Sequence, residues 1–168
     1  MGRYRPPQPA SSKYITPEGK QRLVDEVDKL WKKRRPEVTK ALAAAAAEGD
    51  RSENAEYIYR KKELREIDTR VRYLRKRLDG IVVVDRVPDD QNKVYFGAWV
   101  RLEDSTGKQS VFRIVGPDEF DPSSGYISMD SPMGKALIGK SLDDEFILIL
   151  PEGEAEYVIT EVSYEKID

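Results

Sequence analysis

Neither histidine nor cysteine occurs anywhere in the 168 residues of this chain. Without histidine there is no imidazole general base, no Ser-His or Cys-His dyad and no ordinary zinc site. Without cysteine there is no disulfide and no thiolate chemistry, which fits a cytoplasmic home. No stretch approaches the roughly 18 consecutive apolar residues of a membrane span, so no membrane partner is expected. Met1 to Lys13 carries Arg3, Arg5 and three prolines but no apolar core. It is expected to be a disordered arm rather than a signal peptide. Any chemistry is left to carboxylates, lysines and hydroxyls, or to a partner.

Charge is abundant, at 36% of residues against 39% hydrophobic, and it is unevenly spread. Residues 1–79 hold 21 Lys and Arg against 13 Asp and Glu, a net of +8, whereas residues 80–168 hold 8 against 18, a net of −10. The two halves are expected to be different domains: an arm over 1–13, a helical hairpin over 14–79 and a globular domain over 80–168. A basic, helical half is the footprint of a phosphate-rich partner; an acidic half repels bare nucleic acid.

Thr16-Pro17-Glu18 is a helix start, with Thr16 placed to cap and Pro17 at the first helical position. Leu23, Val27, Leu30, Val38 and Leu42 continue an approximately heptad apolar stripe, with Trp31 beside it, into the alanine run Ala43–Ala47. Pro36 should kink this helix or break its hydrogen bonding near Lys32 to Arg35. Gly49 stops it. A second helix, expected from about Ser52 to Leu78, shows Leu64, Ile67, Val71, Leu74 and Leu78 at steps of 3, 4, 3 and 4. Two such helices joined by a tight turn predict an antiparallel hairpin, a rod on the order of 45 Å long.

From Ile81 the period becomes that of strands. Ile81–Val84, Val94–Leu102, Val111–Val115, Tyr126–Met129, Phe146–Leu150 and Ala155–Tyr164 are short runs rich in β-branched and aromatic residues. One short helix is expected after Asp130-Ser131-Pro132. Tyr95, Phe96, Trp99, Phe112 and Phe146 are expected mainly to fill the core of this mostly β domain. The fold class is therefore α+β.

The turn between the helices reads Gly49-Asp50-Arg51-Ser52-Glu53-Asn54-Ala55-Glu56-Tyr57. Asp50 and Glu53 allow two readings. As Asp-x-x-Glu they form a capping box, Asp50 accepting from the N–H of Glu53. As exposed carboxylates at the end of a rod they can share a face and contribute oxygens to a Mg²⁺ ion, although two are too few for a complete site. Arg51, Ser52, Asn54 and Tyr57 are expected to support this tip.

The tract Arg35-Pro36-Glu37-Val38, the turn just quoted, and Lys61-Lys62-Glu63-Leu64-Arg65-Glu66-Ile67-Asp68 with Arg70-Val71-Arg72-Tyr73-Leu74 resemble the Gre family of bacterial transcript cleavage factors, in particular its GreB branch. Val94-Tyr95-Phe96-Gly97-Ala98-Trp99-Val100, Phe112-Arg113-Ile114-Val115-Gly116 and Tyr126 through Met133 extend the resemblance over almost all of the chain. The resemblance implies a coiled-coil hairpin followed by an FKBP-like domain, without prolyl isomerase activity.

It also implies a function. The hairpin would enter the secondary channel of bacterial RNA polymerase, where Asp50 and Glu53 help hold a second Mg²⁺ and a water. The polymerase would then hydrolyse the backtracked nascent RNA near its 3′ end. The ion would belong to the polymerase site rather than to the free protein, a monomer that is not itself an enzyme.

Arg60, Lys61, Arg65, Arg72 and Lys76 recur at helical steps and are candidates to neutralise the extruded RNA; the alternative is a solvated face of salt bridges. Asp130, Ser131 and Pro132 are implied to dock on the polymerase rim, or are an ordinary helix start. A channel-binding regulator without cleavage activity is the other functional reading. A free nucleic-acid-binding hairpin is a third, which the acidic half disfavours.

Overall fold

The computed structural model describes residues 9–50 and 53–168. Arg51 and Ser52, expected at the tip, and the first eight residues of the expected arm lie outside the described residues. The chain groups into two compact units: Lys20–Ile81, and Val82–Asp168 together with the segment leading to Gly19.

In the first unit, helix α1 (Pro17–Lys29) runs into a π-helical turn (Leu30–Arg34) and on into α2 (Arg35–Ala46). The turn answers Pro36. Proline has no N–H to donate and its ring crowds the preceding turn, so the ladder widens just upstream. The N–H of Arg35 donates to the carbonyl of Leu30, five residues back. After the tip, α3 (Ala55–Gly80) returns. Cross-helix partners converge toward the tip: Arg70 with Glu26, Arg35 with Asp68, Arg34 with Glu63, and Asn54 with Ala45. That order is antiparallel. Val38, Ile67 and Val71 form its buried seam, with Leu30 and Leu64 packed against them, as the 3-4 spacing predicts.

The second unit is mostly β. Its strands are β1 (Tyr14–Ile15), β2 (Val82–Val83), β3 (Trp99–Asp104), β4 (Gln109–Val115), β5 (Tyr126–Ser128), β6 (Glu145–Leu150) and β7 (Gly153–Ser163), with the short helix α4 (Pro132–Leu137). Five of them form one sheet in the order β5-β4-β3-β7-β6, antiparallel except for the β4–β5 pair. Val94, Ala98, Val100, Leu102, Ile114, Leu137, Phe146, Leu148 and Ile159 make its core. Trp99 is buried too, but Tyr95 is exposed and outside the core. Together with the hairpin this is an α+β chain.

Residues 9–13, the described end of the expected arm, and residues 14–19, expected to start the hairpin, group instead with the β unit. β1 pairs in parallel with β2, Tyr14 opposite Val82 and Ile15 opposite Val83. Just before it, Ser12 donates from its N–H (2.9 Å) and its hydroxyl to the carboxylate of Asp130. Just after it, Thr16 caps α1, accepting from the N–H of Gly19 at 3.0 Å, as expected. The same residue donates from its N–H (3.0 Å) and hydroxyl to Glu119. Glu119 is only 3% exposed and also accepts from the N–H of Gly116 at 2.9 Å. A buried carboxylate is tolerable because its oxygens are hydrogen-bonded in this way.

Candidate functional site

α2 ends at Ala46 and Gly49 follows with a φ of 136°, a conformation that favours glycine. Asp50 and Glu53 are both exposed on either side of the undescribed pair. The capping-box reading does not describe how α3 begins. Its first residue is Ala55, not Ser52, and its cap is Asn54, extended at φ −84° and ψ 99°. The side-chain oxygen of Asn54 accepts from the N–H of Tyr57 at 3.1 Å, and its amide donates to the carbonyl of Ala45 at 2.7 Å. One side chain thus closes the start of α3 and ties it to the last turn of α2. Glu53 precedes the cap and does not serve it. Asn54 and Tyr57, expected to support the tip, are joined by this cap.

Carboxylates are the right kind of donor for Mg²⁺, which takes oxygen ligands, but the ion wants about six of them. Among the described residues no group of three or more metal-ligating side chains comes together. Asp50 and Glu53 would therefore supply only part of such a shell.

The basic residues of α3 separate into two sets. At about 100° per residue, Lys61, Arg65, Arg72 and Lys76 fall within an arc of about 60°. All four are exposed, and none enters an ion pair with a described residue. Arg60 does not share that face, contrary to the expectation. It lies four residues before Leu64 and seven before Ile67, on the stripe turned to the other helix. Its guanidinium meets Glu56 at 2.7 Å and Glu63 at 3.0 Å, and Glu63 also holds Arg34. These hydrogen bonds to Glu56 and Glu63 hold the Arg60 guanidinium above its ordinary pKa. Arg60 is part of the hairpin's internal bracing.

Pro132 opens α4 and Ser131 caps it, accepting from the N–H of Gly134 at 3.1 Å. Asp130 is held by Ser12, 118 residues away in sequence. The Ser12–Asp130 and Thr16–Glu119 links had no local sequence signal. Gly134 is required there, since an added Cβ would strike the carbonyl of Ser128.

Two family models match the sequence. One, described as "Transcription elongation factor, N-terminal", covers residues 13–83, and the other, "Transcription elongation factor, GreA/GreB, C-term", covers residues 89–164. The chain is similar to a Pseudomonas aeruginosa protein named transcription elongation factor GreB, 57% identical over 164 residues and covering 98% of each. A protein of the same name from Xanthomonas axonopodis pv. citri is 59% identical over 165 residues, again covering 98% of each. Among solved structures, GreA factor homolog 1 (Gfh1) of Thermus thermophilus is 27% identical, with 90% of this chain and 98% of that chain covered and a TM-score of 0.41.

Proposed function

Since the chain belongs to the GreA/GreB family of transcription elongation factors, we propose that it stimulates cleavage of backtracked nascent RNA by bacterial RNA polymerase, with its hairpin in the polymerase secondary channel. The observation that carries this reading is the role of Asn54. Asn54 is the cap of α3, and Asp50 and Glu53 stand exposed at the turn of a long hairpin.

In this reading Asp50 and Glu53 add oxygen ligands to a Mg²⁺ site that the polymerase supplies for the most part, and they orient a water by accepting its hydrogen bonds. A metal bound there supplies charge stabilisation to the attacking and leaving oxygens of phosphodiester hydrolysis. Lys61, Arg65, Arg72 and Lys76 neutralise phosphates of the extruded strand without reading its sequence. Asp130, Ser131 and Pro132 contribute to docking on the polymerase. The protein is then no independent enzyme: it lends two carboxylates to another active site, in the cytoplasm where that polymerase works.

The test is to add the protein with Mg²⁺ to an elongation complex halted in a backtracked register and to follow the length of the labelled RNA. Shortened RNA with a new, extendable 3′ end is the expected result. Unchanged RNA together with blocked nucleotide addition would favour the second reading, a channel-binding regulator without cleavage activity.

A further inference from the structure

The hairpin carries an aromatic group that the cleavage reading leaves unused. Trp31, in the π-helical turn, is 42% exposed, although tryptophan is among the side chains most costly to leave in water. The Arg35 guanidinium lies 5.0 Å from its ring centroid and that of Arg75 lies 4.5 Å away. Arg35 is in turn fixed by Asp68, at 2.8 Å from its Nε. The result is an aromatic ring with two guanidinium groups over it, one from each helix, the Arg35 group tied to Asp68 of α3.

Its position matters. Asp68 and Arg75 border the arc of Lys61, Arg65, Arg72 and Lys76 on α3, on the side next to the first helix, by the same count of about 100° per residue. Trp31 therefore extends the unpaired basic face sideways and ends it away from the tip. At the tip end of that face Tyr57 lies under Lys61, whose ammonium is 5.8 Å from the ring centroid. Aromatic rings at both ends with cations between them are what single-stranded nucleic acid binds: phosphates are neutralised along the groove, and bases stack on rings or on guanidinium planes.

We propose that Trp31, flanked by Arg35 and Arg75, is a base-stacking platform for single-stranded RNA, the far anchor of a track that begins near Tyr57 and Lys61. The proposal rests on the reading that extruded RNA runs along the hairpin. About 18 residues of helix separate positions 57 and 75, or roughly 27 Å. Only a long extruded strand reaches the platform.

Two measurements test it. Backtracked complexes are prepared with RNA extruded by two nucleotides or by more than ten, and cleavage is followed with the intact protein, Trp31→Ala and Trp31→Phe. Loss of one stacked base slows Trp31→Ala about tenfold on the long RNA, leaves the short RNA unchanged, and is restored by Trp31→Phe. Separately, RNA bearing 4-thiouridine at successive extruded positions is photocrosslinked in complexes with Asp50→Asn/Glu53→Gln protein, so that the strand stays whole. A crosslink to the peptide containing Trp31, from distal positions only, is expected. Equal slowing on both RNAs, or distal crosslinks that reach the polymerase but not this peptide, overturns the platform and makes Trp31 a polymerase contact or a hairpin brace. If the intact protein cleaves neither RNA, it is the cleavage reading that fails, and the crosslink still decides the platform.

Discussion

The side-chain amide of Asn54 donates to the carbonyl oxygen of Ala45 at 2.7 Å, bridging the last turn of one helix and the first residue before the next. The bond adds to the one that the Ala45 carbonyl accepts from the N–H of Glu48 at 3.2 Å, while the oxygen of the same side chain caps α3. It defines the tip more directly than either acidic residue does.

Asn54→Ala removes both bonds. The cost should be about 1–2 kcal/mol of hairpin stability, in the range of a lost helix cap. It should appear as a lower melting temperature in the helical circular dichroism signal and as slower cleavage at unchanged polymerase affinity. Asn54→Asp keeps the cap but loses the amide donor, and should fall between the two. An alanine variant that melts like the parent would show that the turn is held by something else.

Asp50→Asn and Glu53→Gln change charge without changing shape. Each is expected to leave polymerase binding nearly intact and to slow RNA cleavage by at least tenfold, with partial recovery at raised Mg²⁺ if the carboxylates act as ligands. Binding by fluorescence anisotropy and cleavage on one preparation separate the two effects. Full cleavage by both variants would remove the carboxylates from the mechanism.

Arg60 and its basic neighbours should behave differently. Replacing Lys61, Arg65 and Arg72 together by glutamine should impair rescue of long extruded RNA more than short, and the defect should mimic a rise in salt. Arg60→Gln should instead lower hairpin stability slightly, because solvent screens its ion pairs with Glu56 and Glu63. A length-dependent cleavage defect in Arg60→Gln with an unchanged melting curve would return Arg60 to the RNA-binding set.

Glu119 and Gly19 form a coupled pair. A Cβ at position 19 would strike the Glu119 carboxylate, so Gly19→Ala should destabilise by about 1–3 kcal/mol. Glu119→Ala strands the N–H groups of Thr16 and Gly116 and should cost about 2–4 kcal/mol. In the double variant the new methyl fills space the carboxylate vacated, so the sum should fall short of additivity by at least 0.5 kcal/mol. Strict additivity in chemical denaturation would mean that the two positions do not share that space.

Both helices were legible because their apolar residues recur at 3 and 4, and the strands because β-branched runs alternate with turn residues. Both signals are local. The acidic tip was legible as well, since a polar turn after an alanine run has no core to join. Which residue would cap α3 was not: Asp50, Ser52 and Asn54 are all competent caps. The choice fell to Asn54, the candidate seen to meet both an N–H ahead and a carbonyl on the opposite helix.

The sequence by itself determined the two-part division, the two helices of the hairpin, the β-rich half and the disturbed hydrogen bonding ahead of Pro36, all of which follow from spacing, propensity and a missing donor over a few residues. Tertiary structure alone decided the rest. Arg60 stands next to Lys61 in sequence, but it lies on the stripe turned to the facing helix, where Glu63 of its own helix holds both Arg60 and the Arg34 that the facing helix brings. Ser12 with Asp130 and Thr16 with Glu119 join residues 118 and 103 positions apart. Pairings at that range depend on where the whole sheet carries each segment, and a hydroxyl or carboxylate gives no sign in its own neighbourhood of which distant partner will satisfy it.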